Sequence, residues 1–278
     1  MKNILIPTDF SDTSKAAFLY AQSFVAENAD FTLLHTVHPQ MDPAYPYLQT
    51  ATEVFFKERE AQLKAFREEN RSYSEGSVLV DTRVFPSVKV GLAGDVIIEE
   101  SKGETDLIVM GRTGSNSLFE KVFGTVSSHI AQHAACPVLL VPKDTVFKGI
   151  KKVLFATNRD ITSEEPILKK LLATLNGYRP EIHFVQVQND IFNYYNLESE
   201  EHELLALFKK VAPNLTFKIT KLKSDTAMTS LFDYANKEGI DIIALATEHR
   251  STVQQLFHRS MTKQMVLNSK IPLLVMHY

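Results

Sequence analysis

From Gly111 to Ser128 the chain reads Gly111-Arg112-Thr113-Gly114-Ser115-Asn116-Ser117-Leu118-Phe119-Glu120-Lys121-Val122-Phe123-Gly124-Thr125-Val126-Ser127-Ser128, with three glycines and six hydroxyl side chains. That composition suits an anion. Glycines, lacking a Cβ, let backbone N–H groups come close to a ligand. A helix opening near Thr125 would add unsatisfied N–H groups and the positive end of its dipole, a seat for phosphate. The hydroxyls of Thr125, Ser127 and Ser128 can donate to phosphate oxygens, and Arg112 can add charge. The segment is not a P-loop, because Gly-Lys-Ser/Thr is absent, and its glycine spacing is not that of the dinucleotide fingerprint. Spacing alone leaves two readings open. One is a phosphate cradle; the other is a turn in which Gly111 and Gly114 reverse the chain and Gly124 starts a helix.

The elements around the loop follow from hydrophobic periodicity. Short apolar runs at Ile4–Ile6, Phe31–Val37, Leu107–Met110 and Val138–Val141 read as buried parallel strands. Between them lie helical stretches: Ser11 through Glu27, Val54 through Glu69, and Val126 to Ala135, the last stopped before Pro137. Asp95 is expected to cap a further helix, Val96 to Lys102, and the Gly91-to-Gly94 turn before it, although placed where it could approach a ligand, is not counted in the site. The pattern then recurs. Lys2 to Asp9 resembles Lys151 to Asn158, an offset of 149 residues, while Asp106 to Met110 resembles Asp241 to Leu245 and Pro137 to Val141 resembles Pro272 to Met276, both at an offset of 135. Two long copies predict a duplicated domain, with residues 1–143 and 150–278 as the units. Strands alternating with helices predict α/β architecture twice, each copy a doubly wound parallel sheet with helices on both faces. In such sheets ligands sit beyond the carboxyl ends of the strands, which adds Pro7-Thr8-Asp9-Phe10-Ser11 to the candidate site.

Gly111-x2-Gly114-x9-Gly124-Thr125 resembles, at every fixed position, the ATP-binding pattern G-2x-G-9x-G-(S/T) of the universal stress protein family. Pro7-Thr8-Asp9-Phe10-Ser11 is similar to that family's segment after strand one, and Leu33-Leu34-His35 to its second strand. The resemblance implies two tandem domains, each a five-stranded parallel sheet of order 3-2-1-4-5, with ATP in the switch-point crevice of the first. It implies Asp9 at the ribose or adenine side, Pro7 and Thr8 along the base, and Thr36 where an apolar residue usually packs on adenine. Met110 and Gly111 would flank the ribose, while Gly114, Gly124, Thr125, Val126 and Ser127 would hold the phosphates. Mg²⁺ or Mn²⁺ would accompany the triphosphate. The resemblance further implies that the last strands, Val138–Val141 and Leu273–Met276, pair antiparallel to give an internal pseudo-dimer, with dimerisation of whole chains as a further expectation.

The second half departs from the pattern. Gly111 falls on Ala246, Gly114 on His249, Gly124 on Arg259, Thr125 on Ser260, and Asp9 on Asn158. A Cβ at each glycine position obstructs close backbone approach, so nucleotide is not expected there. His249, Arg250, His258 and Arg259 read first as a solvated basic loop, with a different anionic ligand as the alternative. His129 and His133, four apart on one helix, read as packing residues rather than metal ligands, and Cys136 reads as a small buried residue.

Composition bounds the rest. Thirty Lys and Arg against 33 Asp and Glu give a net charge of −3, with no global positive field for nucleic acid. No run approaches the roughly 18 apolar residues of a membrane span. One cysteine excludes an intrachain disulfide and a thiolate-rich metal site. The expectation is a cytoplasmic stress-response or regulatory protein that binds ATP and meets an unidentified protein partner. No Ser-His-Asp order or paired carboxylates stand out for dedicated catalysis. A weak ATPase and a nucleotide-free interaction scaffold are the competing readings.

Overall fold

In a strand buried on both sides, alternate residues must find apolar partners above and below the sheet. The computed structural model shows how this chain does so. It describes residues 1–25, 29–37, 49–70, 83–112, 125–157, 164–175, 177–188, 197–223, 227–247 and 270–277. The strands are β1 (Asn3–Pro7), β2 (Asp30–Val37), β3 (Arg83–Val90), β4 (Leu107–Arg112), β5 (Val138–Pro142), β6 (Lys152–Thr157), β7 (Glu181–Gln188), β8 (Phe217–Lys223), β9 (Ile242–Thr247) and β10 (Leu273–His277). The helices are α1 (Asp12–Phe24), α2 (Gln49–Glu69), α3 (Ala93–Glu100), α4 (Thr125–His133), α5 (Glu164–Thr174), α6 (Leu197–Val211) and α7 (Ala227–Glu238).

The expectation of two separate five-stranded parallel sheets is overturned. All ten strands form one continuous mixed sheet in the order β3-β2-β1-β4-β5-β10-β9-β6-β7-β8. The join is antiparallel: Leu140 faces Leu273, Leu139 faces Leu274 and Val138 faces Val275. Every other neighbouring pair is parallel. The physical reason lies in β5 and β10. Both are apolar and buried along nearly their whole length, so either one left as an edge would expose unpaired backbone beside apolar faces. Pairing them removes both edges at once. The antiparallel contact implied by the family resemblance is therefore present, but it fuses the sheets.

The core follows the fused sheet. On one face Ile4, Phe18, Phe31, Phe66, Phe155, Phe184, Phe208 and Leu274 form one cluster, under α1, α2, α5 and α6. On the other, Leu5, Ile108, Ile130, Leu140, Leu154, Phe232 and Val275 form a second, under α3, α4 and α7. Each cluster runs across the join. Beside it Phe147, in the segment between β5 and β6, packs on Tyr20 at 5.2 Å, on Tyr178 at 5.8 Å and on Phe24 at 6.2 Å between ring centres. Equivalent hydrogen bonds brace both halves of the sheet. Asp106 Oδ2 accepts from the N–H groups of Lys2 and Asn3 at 2.6 and 3.1 Å, and Asp241 Oδ2 from those of Lys151 and Lys152 at 2.7 and 2.9 Å.

Helix boundaries differ from the periodicity in four helices, and α2 begins at Gln49 rather than Val54. α1 ends at Phe24 rather than Glu27, because Val25 turns extended while its N–H still reaches Ala21. α3 spans Ala93–Glu100 with Leu92 at its N-cap, so Asp95 sits inside the first turn instead of capping it. α4 stops at His133, and Ala135 N–H donates to Ser101 Oγ at 2.9 Å rather than continuing the helix.

Candidate functional site

β1 has β2 and β4 as its neighbours, and the chain winds outward from it in opposite directions. The crevice beyond its carboxyl end is therefore the switch point of the first five strands. Thr8 N–H donates to Leu34 O at 2.8 Å, keeping the chain beside β2 for one residue past the strand. Phe10 then turns with a φ of +65°, an unusual conformation for a bulky side chain. Three contacts hold it there. Its N–H donates to Thr8 Oγ1 at 3.1 Å, and its ring packs at 4.5 Å from His35 and 5.7 Å from Phe66. Thr8 Oγ1 donates to Ser14 Oγ at 3.0 Å, and His35 Nδ1 donates to Thr8 O at 2.8 Å. Ser11 is the N-cap of α1, its hydroxyl accepting from Ser14 N–H at 3.3 Å.

This turn presents Asp9 at the surface. Its Oδ1 accepts from Ser11 Oγ at 2.5 Å and from Ser11 N–H at 3.1 Å. Partial burial pushes the carboxyl pKa up, but the hydrogen bonds from Ser11 and Ser14 outweigh it and hold the group below its ordinary 3.8. Asp9 is thus a fixed anion and acceptor.

A cleft of about 270 Å³ opens here, just below the roughly 300–1,000 Å³ usual for small-molecule sites. β1 and its turn supply Pro7, Thr8, Asp9 and Ser11; β2 supplies Leu34 and Thr36; β4 supplies Met110 and Gly111. α1 adds Thr13 and Ser14, α3 adds Ala93 and Ile97, and α4 adds Val126 and Ser127. Three helices thus reach the cleft with their first turns, where free N–H groups and dipoles favour an anion. Gly111 has a second reason to lack a side chain. A Cβ there would lie 2.5 Å from Thr13 O, so its absence lets the first turn of α1 rest on β4.

Of the sequence-predicted residues, Pro7, Thr8, Asp9, Thr36, Met110, Gly111, Val126 and Ser127 meet in this cleft. Arg112 does not line it. It sits on β4, 1 % exposed, and burial pushes its guanidinium pKa down to about 10. Gly114 and Gly124 lie outside the described residues, and Thr125 is described as the first residue of α4 by its backbone alone. Ser11, in the segment expected after β1, also lines it, whereas Thr13, Ser14, Leu34, Ala93 and Ile97 were missed. Ala93 belongs to the Gly91-to-Gly94 turn that the sequence reading set aside, because the strand before it, β3, carries no clear apolar run to mark the turn as a strand's carboxyl end.

The sequence model of the universal stress protein family matches residues 1–142, half of the chain. The chain belongs to the universal stress protein family. Universal stress protein Slr1230 of Synechocystis is 22 % identical over 292 aligned positions covering 99 % of each chain. Universal stress protein MJ0531 of Methanocaldococcus jannaschii is 31 % identical over 146 residues, 51 % of this chain and 82 % of its own. Among solved structures, a universal stress protein from Archaeoglobus fulgidus superposes with a TM-score of 0.72 at 15 % identity, over 99 % of this chain and 96 % of its own, which shows a common fold.

In this universal stress protein the second half carries a Cβ at the matching strand position. Ala246, aligned by sequence with Gly111, is 3 % exposed on β9, and α5 packs on α6 and β10. Asn158, His249, Arg250, His258, Arg259 and Ser260 lie outside the described residues. On α4, His133 Nδ1 donates to His129 O at 2.8 Å, and His129 Nε2 lies 3.8 Å from Asp95 Oδ1. Gly94 admits that ring, since a Cβ would stand 2.9 Å from His129 Cδ2. Cys136 is buried, which pushes its thiol pKa up to about 12. Among the described residues no helix is long and apolar enough to cross a membrane.

Proposed function

We propose that this chain binds ATP in the cleft of its first half and acts as a nucleotide-responsive binding protein, with the second half carrying no nucleotide of that kind. One observation supports the reading above the others. Segments more than 100 residues apart, Pro7–Asp9 on one side and Met110–Gly111 with Val126–Ser127 on the other, line a single switch-point cleft. Pro7, Leu34, Met110 and Val126 offer apolar surface to a base, Asp9 offers an anchored acceptor to ribose hydroxyls, and Ser127 with the helix N-termini suits phosphates.

Binding fits Asp9 better than catalysis does. A general base works best with a pKa near the operating pH, and this carboxyl is held below its ordinary value. Among the described residues no three His, Cys, Asp or Glu side chains are grouped to hold a metal. Mg²⁺ or Mn²⁺ would arrive with ATP and neutralise charge on its phosphates.

The test is calorimetric titration of Mg-ATP into nucleotide-free protein, beside Val126→Glu. Val126 is 37 % exposed at the cleft, so the substitution places a repelling charge there without disturbing the core. Saturable binding near one ATP per chain, weakened at least tenfold by Val126→Glu, is expected. Absence of binding contradicts the reading and favours an interaction scaffold.

A further inference from the structure

We propose that the second half of the chain sets the nucleotide cleft of the first through His277, which holds α4 at its far end; the inference rests on the nucleotide reading above. α4 meets the cleft through Val126 and Ser127 at its start and ends at His133, the last of its nine residues. The last carbonyls of a helix need partners from elsewhere. His129 O accepts from His133 Nδ1 at 2.8 Å, and Ile130 O from Ala134 N–H at 2.9 Å. The next amide in the ladder, Ala135 N–H, turns away to Ser101 Oγ. Ala131 O accepts instead from Nε2–H of His277, 146 residues further along the chain, at 2.9 Å.

His277 is itself anchored by the second half. It ends β10 in register with Thr247 of β9, and its carbonyl accepts from Lys170 Nζ of α5 at 2.8 Å. A donor at a helix C-terminus completes the cap and complements the dipole. α4 is short, at 1.5 Å per residue, so a displacement of one end carries to the other. The position of Val126 and Ser127 in the cleft thus depends on a residue of the other half. Linkage makes the effect mutual: nucleotide drawing α4 toward its bound position must tighten the His277 contact by the same factor.

Titration of Mg-ATP into nucleotide-free full-length wild type, His277→Ala and His277→Gln tests this, with hydrogen exchange over residues 270–277 with and without Mg-ATP. The expected result is about fivefold weaker binding in His277→Ala, with circular dichroism and cooperative unfolding retained. His277→Gln, whose amide N–H can reach the same carbonyl, recovers most of the affinity. Mg-ATP slows exchange of the Met276 and His277 amides in wild type. Equal affinity in a folded His277→Ala overturns the proposal, as does His277→Gln binding no better than His277→Ala. Wild-type exchange unmoved by bound ATP overturns it without any variant. Wild type that binds no ATP overturns the nucleotide reading itself and the coupling with it, an outcome distinct from a cleft that binds but ignores His277.

Discussion

Replacing Gly111 by Ala adds one methyl group at the point where α1 rests on β4. The new Cβ would stand 2.5 Å from Thr13 O, 2.6 Å from Thr13 C and 3.0 Å from Ser14 N. These are backbone atoms of a capped helix, not the end of a flexible side chain. The first turn of α1 must retreat by about 0.9 Å to restore ordinary contact, within the regime where overpacking costs about 1–3 kcal/mol. Rigid backbone neighbours put Gly111→Ala near the top of that range, about 2–3 kcal/mol, or roughly 4–10 °C in Tm for a chain of this size. The protein has no tryptophan, so unfolding is followed by circular dichroism at 222 nm or by calorimetry. Gly103→Ala is the control, because its Cβ would make only an ordinary 3.6 Å contact and should change stability by less than about 0.5 kcal/mol. A Tm for Gly111→Ala within about 1 °C of wild type would refute the packing argument. It would leave the glycine to be explained by a ligand alone.

The fused sheet predicts one cooperative unfolding transition for both halves in calorimetry, and Leu274→Ala at the join should lower it by about 2–5 kcal/mol without splitting it; two separate peaks in wild type would contradict a shared core. Because the Asp9 carboxyl is held below its ordinary value, its contribution to stability is fully present above pH 3.8 and is lost as pH falls through the lower folded value. Ser11→Ala removes one of the bonds that hold it, and the N-cap bond to Ser14, so it should shrink that acid loss in a denaturation series from pH 2 to 5 and cost about 1 kcal/mol at neutral pH. His183 is buried with Nδ1 at 2.9 Å from the Tyr234 hydroxyl, and desolvation lowers its pKa despite Glu181 nearby. The unfolded chain then binds the extra proton first, so stability should fall as pH drops below about 6.5, and His183→Leu should flatten that slope.

The strand runs that alternate across both core faces were legible because nothing competes with burial in Ile4–Ile6, Leu107–Met110 or Val138–Val141. Pro7–Asp9 and Met110–Gly111 followed from them, as residues at strand carboxyl ends. β3 was not legible, since Arg83–Val90 is a half-exposed edge strand with lysine, serine and proline among its residues. The single sheet was hidden for a different reason. Apolar pattern marks β5 and β10 as buried, but it does not say that each is buried by the other rather than by a second chain. Arg112 shows a period misjudged: β4 runs two residues past Met110, and alternation puts Arg112 on the face of Ile108 and Met110. Thr13 and Ser14 escaped notice because they read as ordinary first-turn residues until α1 is seen resting on β4.

Mass spectrometry and chromatography of whatever small molecule is released when freshly purified protein is denatured, with its stoichiometry, tests the central claim most directly. About one adenine nucleotide per chain is the predicted result. No released nucleotide, together with no heat on titrating Mg-ATP, would contradict it.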